Sequence, residues 1–104
     1  MAKAQKKEEF KTFNVEGENG NTFEGRLYLN PKETENAKIY PLSLTINGLA
    51  IIGAKYFDTT KGCFVKLPEY KGSDGDYHSL CYFFKTEDVK DFKDLANCIG
   101  ELLK

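Results

Sequence analysis

Apolar and polar residues alternate along most of this chain, and a three-and-four spacing replaces the alternation only near the C-terminus. Residues 10–15 place Phe10, Thr12 and Asn14 on one side and Lys11, Phe13 and Val15 on the other, the period of a strand with a mixed face. The polar cluster EGENGN at 16–21 reads as a turn. Residues 22–30 resume as a strand with Phe23, Gly25, Leu27 and Leu29 on one face, so the two form a hairpin. Residues 31–37 are polar and separate this hairpin from the next unit. Residues 38–46 give a third strand, with Leu42, Leu44 and Ile46 sharing a face. Asn47-Gly48 predicts a tight type I′ turn, because both central residues need positive φ. A fourth strand is expected over 49–57 and a fifth over 63–67, stopped by Pro68. The glycine-containing stretch 69–75 reads as a flexible loop, and 76–84 as a sixth strand whose aromatics predict burial near its end. Val89, Phe92, Leu95, Ala96, Ile99, Leu102 and Leu103 then form one apolar stripe. Thr86 is the expected N-cap, with Glu87 and Asp88 in the first turn, where the helix dipole favours acids.

The chain has 104 residues, one ordinary domain with a single core. Charged residues are 30% of it and the net charge is −1, which excludes a strongly basic nucleic-acid protein and a strongly acidic tail protein alike. Lysines concentrate locally, at 3–11 and again at 55–71. No apolar run is long enough for a membrane span, and the charged start lacks the apolar stretch of a secretion signal. Cys63, Cys81 and Cys98 are odd in number and follow no ligand spacing, so free thiols in a reducing, cytoplasmic setting are expected.

From Tyr40 onward the chain resembles the bacterial SpoVG family, named for stage V sporulation and septation. The residues that carry the likeness are SLTINGLAII, GAKYFDTTKG, the strand Gly62-Cys63-Phe64-Val65-Lys66-Leu67-Pro68, the loop Lys71-Gly72-Ser73-Asp74-Gly75-Asp76-Tyr77 and the terminal helix. Leu67 stands where the family usually has Met. The resemblance covers about three-fifths of the chain in the family's order. It implies a small α+β fold that dimerises through its sheets and binds DNA, in some members RNA, in gene regulation. It also implies contacts from basic residues at the start of the last helix. Here that turn is Lys85-Thr86-Glu87-Asp88, so only Lys85, Lys90 and Lys93 can serve. The hairpin of residues 10–37 is additional to the short family members, as in a divergent or mobile-element-borne relative.

Lys55, Tyr56, Lys61, Lys66, Tyr70 and Lys71 interleave cations with aromatics, which suits phosphates and stacked bases. The plainer reading makes the lysines solubility charges and the tyrosines half-core. Strand parity separates Phe64 and Lys66 from Val65 and Leu67. If the Val65 face meets the helix, Lys66 faces solvent or a dimer seam. Cys63, Phe64, Val65, Lys66 and Leu67 are candidates for a dimer edge, since a bare apolar edge invites pairing; the alternative is a central strand. His78 with the three cysteines is not a metal set by spacing, and the cysteines read as small buried hydrophobes. Asp74-Gly75-Asp76 lacks the ligand spacing of a calcium loop. No phosphate loop and no nucleophile elbow is present, so neither catalysis nor a cofactor is expected.

The sequence therefore predicts an α+β fold: an antiparallel, twisted sheet of hairpins with a C-terminal helix packed on it. Residues 1–9 are expected as a tail and 10–104 as one domain, with the extra hairpin at 10–37 and the SpoVG-like part at 38–104. Two functions fit. One is a homodimeric, non-catalytic, DNA- or RNA-binding regulator of transcription, with single-stranded DNA among its targets. The other is a protein-interaction module or small inhibitor from a phage or mobile element, acting through an exposed sheet edge.

Overall fold

The computed structural model describes residues 9–104, and its architecture is the expected α+β one, nine antiparallel strands followed by one helix. In chain order the elements are β1 (Phe10–Glu16), β2 (Thr22–Tyr28), β3 (Lys32–Glu33), β4 (Ala37–Ile46), β5 (Leu49–Ile51), β6 (Lys55–Thr59), β7 (Gly62–Lys66), β8 (Glu69–Lys71), β9 (Tyr77–Ser79) and α1 (Thr86–Leu102). The main sheet runs β1-β2-β4-β6-β7, with β3 and β5 also paired to β4; β8 and β9 form a separate ribbon. The tail expected over 1–9 lies outside the described residues except for Glu9, whose carbonyl accepts the Leu29 amide at 2.9 Å.

β4 is the spine. One of its edges serves β2 along Leu42–Ile46 and β3 at Lys38–Ile39; the other serves β5 along Leu44–Ile46 and β6 along 37–41. Pro41 sits inside this strand without breaking it. The Leu42 amide points toward β6 and donates to the Ala54 carbonyl at 3.2 Å. Strand amides alternate in direction, so the nitrogen of Pro41 points the other way, into the gap between the ends of β2 and β3.

The single strand expected over 49–57 is two. Between the pairs Pro41–Lys55 and Leu44–Ile51, two residues of β4 face three across from them, Ile52, Gly53 and Ala54. This is a β-bulge, and Gly53 takes the positive φ of 95° that it needs. The extra residue reverses parity: Ile51 points inward before the bulge, Ala54 and Tyr56 after it, and Ile52 is left 89% exposed. The Asn47-Gly48 turn forms as expected, with φ of 51° and 84°.

The helix lies on the face lined by Phe13, Phe23, Leu27, Leu42, Leu44, Tyr56 and Val65, into which it lowers Leu95, Ala96 and Ile99. Leu95 and Ile99 each gain about 1.5–3 kcal/mol from burial. The 10–37 hairpin thus joins the one core through Phe13, Phe23 and Leu27. Two helix-end expectations change. Lys85, not Thr86, is the N-cap; its carbonyl accepts the Asp88 and Val89 amides at 3.1 Å each, and no side chain caps the end. At the other end Lys11 of β1 donates to the Leu102 carbonyl, placing a cation at the negative end of the dipole.

The sixth strand shortens to β9, paired with β8 where a flexible loop is expected. The burial expected near residue 84 fails as well. Tyr82 and Phe84 are 78% and 91% exposed, and only Phe83 turns in, against Phe92 at a ring separation of 5.1 Å. Cys98 is exposed, while Cys63 and Cys81 are half-buried.

One buried charge ties these layers together. Asp91 sits within the apolar face of α1, fully buried, and no apolar neighbour can satisfy it. The β1–β2 turn does so. Asn19 donates its backbone N–H at 3.1 Å and its side-chain amide at 3.0 Å; Asn21 donates its side-chain amide at 2.9 Å and its backbone N–H at 3.4 Å. Gly17 allows the approach, since a Cβ there would lie 2.3 Å from the Asp91 carboxyl carbon. The network continues through Asn21 to Asp88 and to Asn47, whose side-chain oxygen accepts the Thr22 amide at 2.8 Å. Burial pushes the Asp91 carboxyl up, but the asparagine N–H donors outweigh it and hold the group below the usual carboxylate range.

A folded value below the unfolded one, about 3.9 for aspartate, means that the charge stabilises the fold fully above that pH. The contribution is lost as pH falls through the folded value. Asp91→Ala should lower Tm by roughly 5–15 °C at neutral pH. The gap between variant and parent should narrow below about pH 4 in a differential scanning calorimetry series.

Candidate nucleic-acid interface

Strand alternation assigns the face of the sheet opposite the helix. Tyr56 pairs with Val65 and Asp58 with Cys63 on the helix side, where the Cys63 thiol donates to the Ala96 carbonyl at 3.7 Å. Lys55, Phe57, Phe64 and Lys66 therefore point the other way. Register places them in two cross-strand rows. Lys32, Ile39, Phe57 and Phe64 form one; Pro41, Lys55 and Lys66 form the next. Two residues along a strand separate the rows, about 7 Å. The Phe57 and Phe64 rings stack with centroids 4.9 Å apart and planes 7° from parallel. Lys66 lies over the Phe57 ring at 5.6 Å and pairs with Glu69 at 3.0 Å.

The β8–β9 ribbon stands beside this face. Between them lies a cleft of about 520 Å³, lined by Ile52, Lys55, Phe57, Lys66, Tyr77 and Leu80 among others. On the ribbon Tyr70 stacks on His78 at 5.3 Å, and Asp74 accepts from His78 Nε2 at 3.2 Å. The Asp76 amide, and then His78, hold the Asp74 carboxyl below its usual range. The far side of the same sheet face carries a second cation–aromatic group, with Arg26 over the Phe10 ring at 4.6 Å and Tyr28 edge-on to Phe10 at 5.9 Å.

The nine residues expected at a nucleic-acid site do not share one surface. Lys55 and Lys66 are cross-strand neighbours. Tyr56 is a correction: its ring is 1% exposed beneath the helix and cannot stack on a base. Burial, with Cys63 beside it, pushes its phenol far above the usual range. Lys61 lies at the β6–β7 turn, and Tyr70 and Lys71 lie on the ribbon. Lys85 and Lys90 belong to the helix, on the other side of the sheet; Glu18 binds Lys90 at 2.7 Å and raises its ammonium above the usual range. Lys93 comes round toward β7, sharing a shallow cavity of about 320 Å³ with Phe64 and Val65.

The candidate dimer residues divide by parity. Cys63 and Val65 face the helix, Phe64 and Lys66 face outward, and Leu67 is half-buried. β7 itself is the last strand of the main sheet, an edge and not a central strand. Phe57 and Phe64 are the outward residues that the interleaving pattern overlooked. Their signal was present as matched parity on two strands joined by a tight turn. Among the described residues no group of three His, Cys, Asp or Glu is placed to hold a metal ion, and no helix is long and apolar enough to cross a membrane.

No protein-family model matches the chain, and no curated protein or solved structure matches it either.

The split between core and surface aromatics is measurable. Tyr56→Ala should cost about 3–5 kcal/mol in urea unfolding, whereas Tyr70→Ala on the ribbon should change stability by no more than about 0.5 kcal/mol.

Proposed function

We propose that this chain is a non-catalytic nucleic-acid-binding regulator of the SpoVG kind, working in the bacterial cytoplasm as a homodimer. The observation that supports it is the pairing of a lysine row with an aromatic row on the sheet face that the helix leaves open. Phosphates need fixed cations and bases need apolar rings, and the β6–β7 hairpin presents both. Of the SpoVG-like segments, GAKYFDTTKG and residues 62–68 fall on this same hairpin and residues 71–77 on the adjoining ribbon. Lys55 and Lys66 are the central phosphate contacts; Lys61, Lys71 and Lys93 extend the positive surface along the hairpin turn, the ribbon and the β7 edge. The dimer forms along β7. Its edge carries unpaired backbone groups, and a second copy would satisfy them while joining two lysine rows into one face.

A second reading rests on a different observation. Leu49, Ile52, Leu80, Tyr82 and Phe84 are all exposed, and Leu49 and Tyr82 share a largely apolar cavity of about 310 Å³ with Ile46 and Leu67. Such a surface suits a protein partner, as an interaction module or inhibitor of phage or mobile-element origin needs.

Fluorescence anisotropy with labelled nucleic acid across a salt series separates the two. Affinity should fall as salt rises, and Lys55→Glu with Lys66→Glu should weaken binding and reduce the log–log salt slope by about 0.7–0.9 for each lysine. Binding that ignores salt, or no binding at low salt, would reject the nucleic-acid reading and move the search to the apolar surface.

A further inference from the structure

The two rows on the open face differ in kind, and the difference selects a ligand. Ile39, Phe57 and Phe64 make an apolar run across β4, β6 and β7, ended on β3 by Lys32; Lys55 and Lys66 run parallel to it about 7 Å away. Cations are few here. Glu69 offsets Lys66 at 3.0 Å, and of the two lysines only Lys55 has no acid within ion-pair distance among the described residues. A duplex offers this face little but phosphate, because its bases are stacked on one another and show only their edges in the grooves. Beside Phe57 and Phe64 themselves stand two lysines, one already paired, which is little charge for a duplex; Lys32 and Arg26 lie farther out on the same face. An unpaired strand offers more, since each base brings a π face and every base type can stack. The Phe57–Phe64 stack, with Phe64 45% exposed, supplies such a surface on rigid paired strands.

We infer that this face binds single-stranded nucleic acid in preference to duplex, with the strand crossing β4, β6 and β7, its bases on Ile39, Phe57 and Phe64 and its phosphates along Lys55 and Lys66. The inference rests on the nucleic-acid reading above and adds strandedness and the base-contacting residues. Phe57 and Phe64 act by stacking, so their loss lowers affinity without changing the number of neutralised phosphates. Lysine loss lowers affinity too, but changes the salt slope with it.

The test is anisotropy of labelled oligothymidine, oligouridine and a mixed-sequence duplex of equal length, titrated with the full chain and with Phe64→Leu, Phe64→Tyr and Phe57→Leu variants. Thermal melts of each variant show that it folds. Tighter binding of either single strand than of duplex is expected. Both leucine variants should lose about fivefold or more in affinity with an unchanged salt slope, and Phe64→Tyr should retain binding. The two single-strand arms compare a DNA strand with an RNA strand, which differ in the 2′-hydroxyl and the thymine methyl. Duplex bound as tightly as single strands, or folded leucine variants that bind like the parent, would overturn this inference while leaving the nucleic-acid function standing. Absence of binding to all three probes at low salt would overturn both.

Discussion

A buried carboxylate held by amide N–H groups organises this protein. Asp91 is placed by the helix into the apolar face and, among the described residues, is held by N–H groups from Asn19 and Asn21. Such a group is costly unless fully satisfied, and the satisfaction comes from a turn some 70 residues earlier in the chain. The β1–β2 hairpin is thereby fixed against α1, and Asn21 passes the constraint to Asn47, the corner between β4 and β5. Two separate turns and one helix are held in register at one end of the molecule. Its donors engage both carboxylate oxygens and tie the helix to the turn, an architectural role.

The helix covers one face of the sheet in this way and leaves the other face open. The bulge at Ile52–Ala54 shapes it. Without the extra residue, Tyr56 would turn outward and Lys55 inward, and the lysine row would be lost into the core. The same bulge exposes Ile52 at the lip of the cleft shared with the ribbon. One inserted residue therefore sets both the inward packing of Tyr56 and the outward pairing of Lys55 with Lys66.

Much of the fold was legible because its signals are local. The Asn47-Gly48 turn, the 10–30 hairpin, the Val65–Phe64 parity and the helical stripe each depend on a few neighbouring residues. The failures are long-range. Gly53 marks the bulge, but only its partners across β4 show that three residues oppose two. Tyr82 and Phe84 have strand-like spacing, yet no neighbouring strand lies there to bury them. Lys85, Lys90 and Lys93 came from the family resemblance, which places basic contacts at the start of the last helix, although the sheet itself separates Lys85 and Lys90 from that face. Asp91 stands out within an apolar stripe, and its partners at 19 and 21 were read simply as turn residues. Of the site, Lys55 and Lys66 were found from composition, whereas Phe57 and Phe64 emerged only from the register that stacks them.

The central claim is one of location: the open face of the sheet, not the helix side, receives nucleic acid. Backbone amide NMR shifts recorded while unlabelled single-stranded oligonucleotide is added test it most directly, because they report every described strand at once. The account expects the largest shifts at Lys55, Phe57, Phe64 and Lys66, with Asp91 and its turn unmoved. Shifts confined to the first turns of the helix, around Lys85 to Lys93, would contradict it.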